Sequence, residues 1–183
     1  MRYAISRYDN PEVFFGYYSS LKIALLYQEK IEKREKKPYR LLSEAEHKNL
    51  LREREIDAAQ SPWVVYNALN ELPTCIVGIS AFEAFKMWSR RCQFVYHISQ
   101  CGTYLHADVY AEKDEDKIDP IFSVKLRKAS YPDELLLNVA AVKIFRQASE
   151  FLPLAYRFRA CTLEKYRAIL HAAGLEESNE EKR

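Results

Sequence analysis

Residues 93–128 read QFVYHISQCGTYLHADVYAEKDEDKIDPIFSVKLRK. Within this stretch three segments alternate apolar with polar side chains, and they are separated by Cys101-Gly102 and by the acidic run Asp114-Glu115-Asp116. Alternation with a period of two marks a strand buried on one face, so the stretch predicts a three-stranded antiparallel meander. With Cys101-Gly102 as a two-residue turn, Ile98 lies opposite Leu105, Tyr96 opposite Ala107 and Phe94 opposite Val109. The same apolar face continues if Val109 meets Val124 and Ala107 meets Leu126. The reverse face is then polar. It places His97 opposite His106 and Asp108 opposite Lys125, with Tyr104, Tyr110, Ser123 and Arg127 completing it.

On the N-terminal side, residues 3–18 mix β-formers with the turn signal Asp9-Asn10-Pro11 and predict one or two short strands. A helix follows over 21–37, with Leu21, Leu25 and Ile31 on a core-facing side and the mixed charge run 30–37 as a solvated end halted by Pro38. Ser43 and Glu46 form a capping box that opens a helix through Leu50, Leu51 and Ile56 to about Ala59. Ser61 as N-cap with Pro62 at the first helical position predicts a short helix through Trp63, Tyr66 and Leu69, ended by Pro73. A brief apolar strand over 74–79 comes next. Ser80 and Glu83 then cap a helix whose Phe82, Phe85 and Trp88 make an aromatic core stripe.

After the meander, Pro132 starts a long buried helix carrying Leu135, Leu136, Leu137, Val139, Ile144 and Phe151, which ends near Pro153. A strand over 154–161 leads to Thr162, the cap of a last helix over 163–173 closed by Gly174, and a polar tail spans 176–183. The expected architecture is one α+β domain over 1–175, an antiparallel meander with flanking helices in the order β-α-α-(α)-β-β-β-α-β-α.

Composition narrows the function classes. The 183 residues carry a net charge of +2, too little to draw nucleic acid by bulk attraction. No run of ~18 apolar residues is present and the N-terminal segment lacks an apolar leader pattern, so neither a membrane partner nor secretion is expected. Four irregularly spaced cysteines, Cys75, Cys92, Cys101 and Cys161, predict reduced thiols and a cytoplasmic location. Thirteen tyrosines against four glycines predict few flexible loops and a tyrosine-rich contact surface.

The element order resembles that of the GNAT N-acyltransferases. The local likeness lies in Leu154-Ala155-Tyr156-Arg157-Phe158, the helix Leu163-Glu164-Lys165-Tyr166-Arg167-Ala168-Ile169-Leu170 and the terminal Ala173-Gly174-Leu175. The match spans roughly 80 residues, about 93–175, and rests on pattern more than identity. The resemblance implies acetyl-coenzyme A as cofactor, with His97, His106, Asp108 or Tyr110 as general acid or base. Arg127, Lys128 and Ser130 would then hold the cofactor phosphates. That family cradles the pyrophosphate on a glycine-containing loop before the long helix; here the loop is Arg127-Lys128-Ala129-Ser130-Tyr131-Pro132-Asp133-Glu134, without glycine.

Other chemistries are weaker. Cys92, His97, Cys101 and His106 are zinc-ligand types, but gathering them on one ion would break the hairpin, so no metal is expected. Asp108 with Ser123-Val124-Lys125 has the acid-then-lysine spacing of some nucleases, yet Ser123 stands where a second carboxylate is needed for magnesium. No G-x-S-x-G, Walker or H-E-x-x-H motif occurs. The leading expectation is a non-catalytic binding or assembly protein with no cofactor, meeting a protein partner or its own copy through Tyr104, Lys125 and Arg127. An acyl-coenzyme A-dependent acyltransferase is the alternative. The third reading, a nucleic-acid accessory protein, needs Arg90, Arg91, Lys125, Arg127, Lys128, Arg157 and Arg159 on one face.

Overall fold

The structure is a computed structural model that describes residues 1–69, 75–78, 80–111, 119–152 and 157–175, with the side chains of 75–78 left aside. The acidic turn Asp114-Glu115-Asp116, Pro73, Pro153, the first part of the strand expected over 154–161 and the tail 176–183 lie outside these residues. The α+β class holds, with helices and antiparallel sheets throughout. Internal contacts divide the chain into two compact units, Met1–Glu55 and Ile56–Arg183, where the sequence is read as one domain over 1–175.

In the first unit, β1 (Tyr3–Arg7) is flanked by β2 (Phe14–Tyr18) and β3 (Tyr39–Ser43), all antiparallel. Helix α1 (Leu21–Glu35) is capped by Ser20, whose hydroxyl accepts from the Ile23 amide, and it ends at Lys36 in the left-handed region. Its Ile31 packs with Ile5 and Tyr39. Gln28 donates to the Tyr39 carbonyl and Glu32 accepts from the Tyr39 amide, both at 2.8 Å, which pins the start of β3 to the helix. Strand β3 was missed in the sequence because Lys37-Pro38 reads only as a helix stop.

The expected core face of α1 needs correction. Ala24 and Ile31 are buried, but Leu21 and Leu25 are about half exposed, as are Ile23, Leu26 and Tyr27. The first two turns are apolar on every side, so the sheet can cover only the stripe through Ala24, Gln28 and Ile31. Helix α2 (Glu44–Gln60), which belongs to this unit as far as Glu55, opens with the expected capping box. The Ser43 amide donates to Glu46 and the Glu46 amide donates to the Ser43 hydroxyl.

The second unit holds two three-stranded sheets, β5-β4-β9 and β6-β7-β8. Residues 63–67, expected as helix, form strand β4 (Trp63–Asn67) between β5 (Cys75–Gly78) and β9 (Phe158–Thr162). Ser61 does not cap a following helix: its amide and hydroxyl both donate back to the Asp57 carbonyl and close α2. Trp63-Val64-Val65-Tyr66, β-branched and aromatic, then enters a ladder in which the Leu163 amide donates to the Pro62 carbonyl. Val64 and Val65 are buried on opposite faces of this central strand.

Helix α3 (Ala81–Cys92) begins at Ser80, which accepts from the Glu83 amide, and buries Phe85 and Trp88 as expected. Helix α4 (Leu136–Phe151), preceded by a short helical turn over Asp133–Leu135, buries Val139, Ile144 and Phe145 in the core shared by β4, α3 and the meander, whereas Leu137 and Phe151 are exposed. Helix α5 (Leu163–Ala172) is capped by Thr162. It ends in a Schellman arrangement: Gly174, at φ +68, donates to the His171 carbonyl and Leu175 donates to the Leu170 carbonyl.

The meander is β6 (Phe94–Cys101), β7 (Tyr104–Ala111) and β8 (Phe122–Arg127). Its turn is Gly102-Thr103, closed by Cys101 opposite Tyr104. Glycine at φ +55 takes the first turn position, the arrangement of a type II′ turn, whereas the expected Cys101-Gly102 turn would force a cysteine to positive φ. The register therefore differs from expectation by two residues: Ile98 meets Ala107 and Tyr96 meets Val109. On the other side Val109 meets Phe122 and Ala107 meets Val124. A slip of two leaves each side chain on its expected face. Leu105, Ala107, Val109, Val124 and Leu126 are all buried.

Cys92, Cys101 and Cys161 are free thiols. Burial pushes Cys92 and Cys161 up to about 11, while Cys101 is exposed beside the turn. At pH 8 Cys101 is expected to alkylate on the order of a hundredfold faster than the other two, because the thiolate is the nucleophile. Equal rates in the folded protein, read by peptide mass mapping, would refute the burial. The raised thiols remain protonated where an unfolded cysteine ionises, so they add to stability at neutral pH and the gain is lost as pH rises through about 9 to 11.

Candidate binding face

The outer face of the meander collects the side chains named from the sequence, with different neighbours. His97 stands across from Asp108, not His106; His106 lies between Ser99 and Lys125; Asp108 faces Ser123, not Lys125. Tyr104 faces Arg127. His97, Tyr104, Ser123, Lys125 and Arg127 are exposed, and His106, Asp108 and Tyr110 are half-buried. This is the polar face that alternation requires once Leu105, Ala107 and Val109 turn inward.

Two interactions organise it. The Lys125 ammonium lies 4.4 Å from the centroid of the Tyr104 ring, a diagonal cross-strand cation–aromatic contact. The Ser123 hydroxyl donates to Asp108 Oδ1 at 2.6 Å, which satisfies part of that carboxylate. Arg127 has no partner among the described residues, and Lys128 reaches Gln100 Oε1 at 3.3 Å. The tyrosine ring thus holds one cation outward while the guanidinium opposite it stays open to an anion.

Ser123, Asp108 and His97 form a row across three strands, but in the wrong order for nucleophilic catalysis. The carboxylate stands in the middle, so the imidazole cannot take a proton from the serine. Nor do Cys92, His97, Cys101 and His106 meet: no cluster of three metal-ligating side chains exists among the described residues. In the loop before α4, the Lys128 amide donates to the Thr103 carbonyl and the Tyr131 amide to the Lys128 carbonyl. Those amides are spent inside the protein, and Ser130 sits in a short helical turn over Lys128–Ser130. The basic residues are dispersed, since Arg91 stacks on Phe158 of β9 at 5.7 Å while Lys125 and Arg127 belong to the meander face.

The first unit contains a constellation that the sequence did not signal. His47 of α2 is fully buried, its Nε2 2.8 Å from the Pro11 carbonyl and its Nδ1 2.9 Å from the Tyr17 hydroxyl. A carbonyl only accepts, so Nε2 carries the hydrogen and Nδ1 accepts from Tyr17. A lone histidine in a charged helix gives no hint of this, because its partners lie 30 and 36 residues earlier.

No helix among the described residues is long and apolar enough to cross a membrane. Comparisons of the chain with protein-family models, with curated proteins and with solved structures gave no match.

Proposed function

We propose that this chain is a non-catalytic binding protein that uses the outer face of the meander to hold an acidic segment of a protein partner. The observation that carries this reading is the Lys125 ammonium over the Tyr104 ring, next to an open Arg127 on the same exposed sheet face. A flat strand face fixes its side chains to one side at little entropic cost, and the aromatic ring restrains a lysine that otherwise moves freely. Carboxylates meeting Lys125 and Arg127 gain charge-assisted hydrogen bonds, and an apolar neighbour on the partner gains the Tyr104 ring. The spent amides of the loop before α4 and the order Ser123-Asp108-His97 both weigh against acyl transfer.

Fluorescence anisotropy with a labelled glutamate-rich peptide tests the reading at low salt. Binding is expected to weaken as salt screens the charges, and by at least about tenfold in a Lys125→Glu/Arg127→Glu variant of unchanged stability. Equal binding by the variant, or none by the native chain, refutes the proposal. Tighter binding of a single-stranded oligonucleotide transfers the face to nucleic acid, and micromolar acetyl-coenzyme A affinity by calorimetry restores the enzyme reading.

A further inference from the structure

We propose that β6 pairs antiparallel with β6 of a second copy of this chain, joining two meanders into one six-stranded sheet. The hairpin geometry supplies the argument. A two-residue turn makes Cys101 and Tyr104 a doubly hydrogen-bonded pair, and the alternation runs back along β6 from there. Val95, His97, Ser99 and Cys101 direct their backbone groups at β7, so Tyr96, Ile98 and Gln100 direct theirs away from it. The far side of β7 keeps the same count: Val109 and Thr103 turn their carbonyls to accept from Ile121 and Lys128. No hydrogen bond to the outward backbone groups of Tyr96, Ile98 or Gln100 is present among the described residues.

Exposed edges are ordinarily blunted by charge, proline, a bulge or a cover. Other edges of this protein have such devices. The outward Ser123 carbonyl of β8 accepts from the Gln147 side chain, the pairing of β1 with β2 is interrupted between Ala4 and Ser6, and β9 carries Arg159. Strand β6, FVYHISQC, has no lysine, arginine, acidic residue or proline, and all eight of its residues pair with β7 without interruption. Val95 is 53% exposed on it.

A second copy fits this edge better than an unrelated strand. A two-fold axis at either His97 or Ile98 brings even-numbered residues against even-numbered ones, so every outward amide meets an outward carbonyl. The apolar sides then join on one face and the polar sides on the other, and no formal charge faces a like charge. A charged segment has nothing in β6 to pair with. In the joined sheet the two Tyr104–Lys125 patches lie on the same surface and bind a repetitive acidic partner bivalently.

Sedimentation of the full chain from about one micromolar to about half a millimolar, with amide exchange at both limits, tests this. The mass is expected to double, and the amides of Tyr96, Ile98 and Gln100 to gain at least about tenfold protection with concentration. Val95→Lys charges the edge and Ile98→Pro removes an amide that β7 does not use; both are expected to stay monomeric with the His97 and Ser99 amides still protected. Should Ile98→Pro fail to fold, Val95→Lys at its exposed position carries the test. A monomer at all concentrations overturns the proposal, as does a dimer whose Tyr96 and Ile98 amides exchange unchanged or that survives Val95→Lys. The Lys125→Glu/Arg127→Glu variant dimerises normally on this account, so loss of peptide binding and loss of pairing are separate results.

Discussion

Replacing Trp88 by alanine is expected to destabilise the second unit by about 4 kcal/mol, the upper range for truncating a buried aromatic. Trp88 is 1% exposed, with ring centroids 5.1 Å from Phe94, 5.5 Å from Phe145 and 6.1 Å from Phe85. The first two contacts are edge-on, so each adds a favourable quadrupole term to simple area burial. The indole Nε1 also donates to the Phe158 carbonyl at 3.2 Å, which links α3 to β9. Alanine leaves a cavity at the meeting point of α3, α4 and the meander and leaves that carbonyl only the longer hydrogen bond from Arg159 Nη1 at 3.4 Å. Phenylalanine retains most of the volume and is expected to cost about half as much. Urea unfolding followed by the remaining tryptophan, Trp63, gives the midpoint shift; a loss below about 1 kcal/mol for alanine contradicts this packing.

In the first unit the corresponding experiment is His47→Leu, with an expected loss of about 3 kcal/mol. Leucine keeps the bulk beside Phe14, whose ring centroid lies 4.5 Å from the imidazole, but it offers nothing to Tyr17 or Pro11. The Pro11 carbonyl keeps a long contact at 3.4 Å to the buried Ser6 hydroxyl, so its loss is partial. The Tyr17 hydroxyl loses its acceptor. Both tryptophans belong to the second unit, so their fluorescence does not report this change; amide exchange of β1 and β3 does. Unchanged exchange there would show that His47 merely fills space.

The legible and illegible parts of this fold differ in the range of the interactions that decide them. The capping box at Ser43, the Ser80 and Thr162 caps and the Gly174 terminus involve neighbours within a few residues, and the structure contains each, although the Glu83 carboxylate pairs with Lys86 and leaves the Ser80 box half formed. Strand β4 depends on β9, far along the chain, and local letters at Ser61-Pro62 favoured a helix that tertiary pairing overrode. The outer face of the meander was legible because parity survives a two-residue slip. Its pairs were not, because one glycine at positive φ decides the register and two turn placements satisfy the same alternation. The exposed start of α1 was illegible for a different reason: a helix apolar on all sides does not say which side the sheet covers.

The two sheets of the second unit also differ in when they can form. The meander is built from consecutive strands, one of them returning through a two-residue turn, so its loops close early and at low entropic cost. Strand β4 pairs early with β5 on one side only, because Trp63 must wait for Thr162 on the other. During synthesis the apolar run Trp63-Val64-Val65-Tyr66 therefore stands with an unsatisfied edge while the meander and α4 emerge, until β9 has been translated. Nascent chains halted before residue 158 are expected to expose this edge to chaperones and to other chains, and those extended past α5 to be shielded.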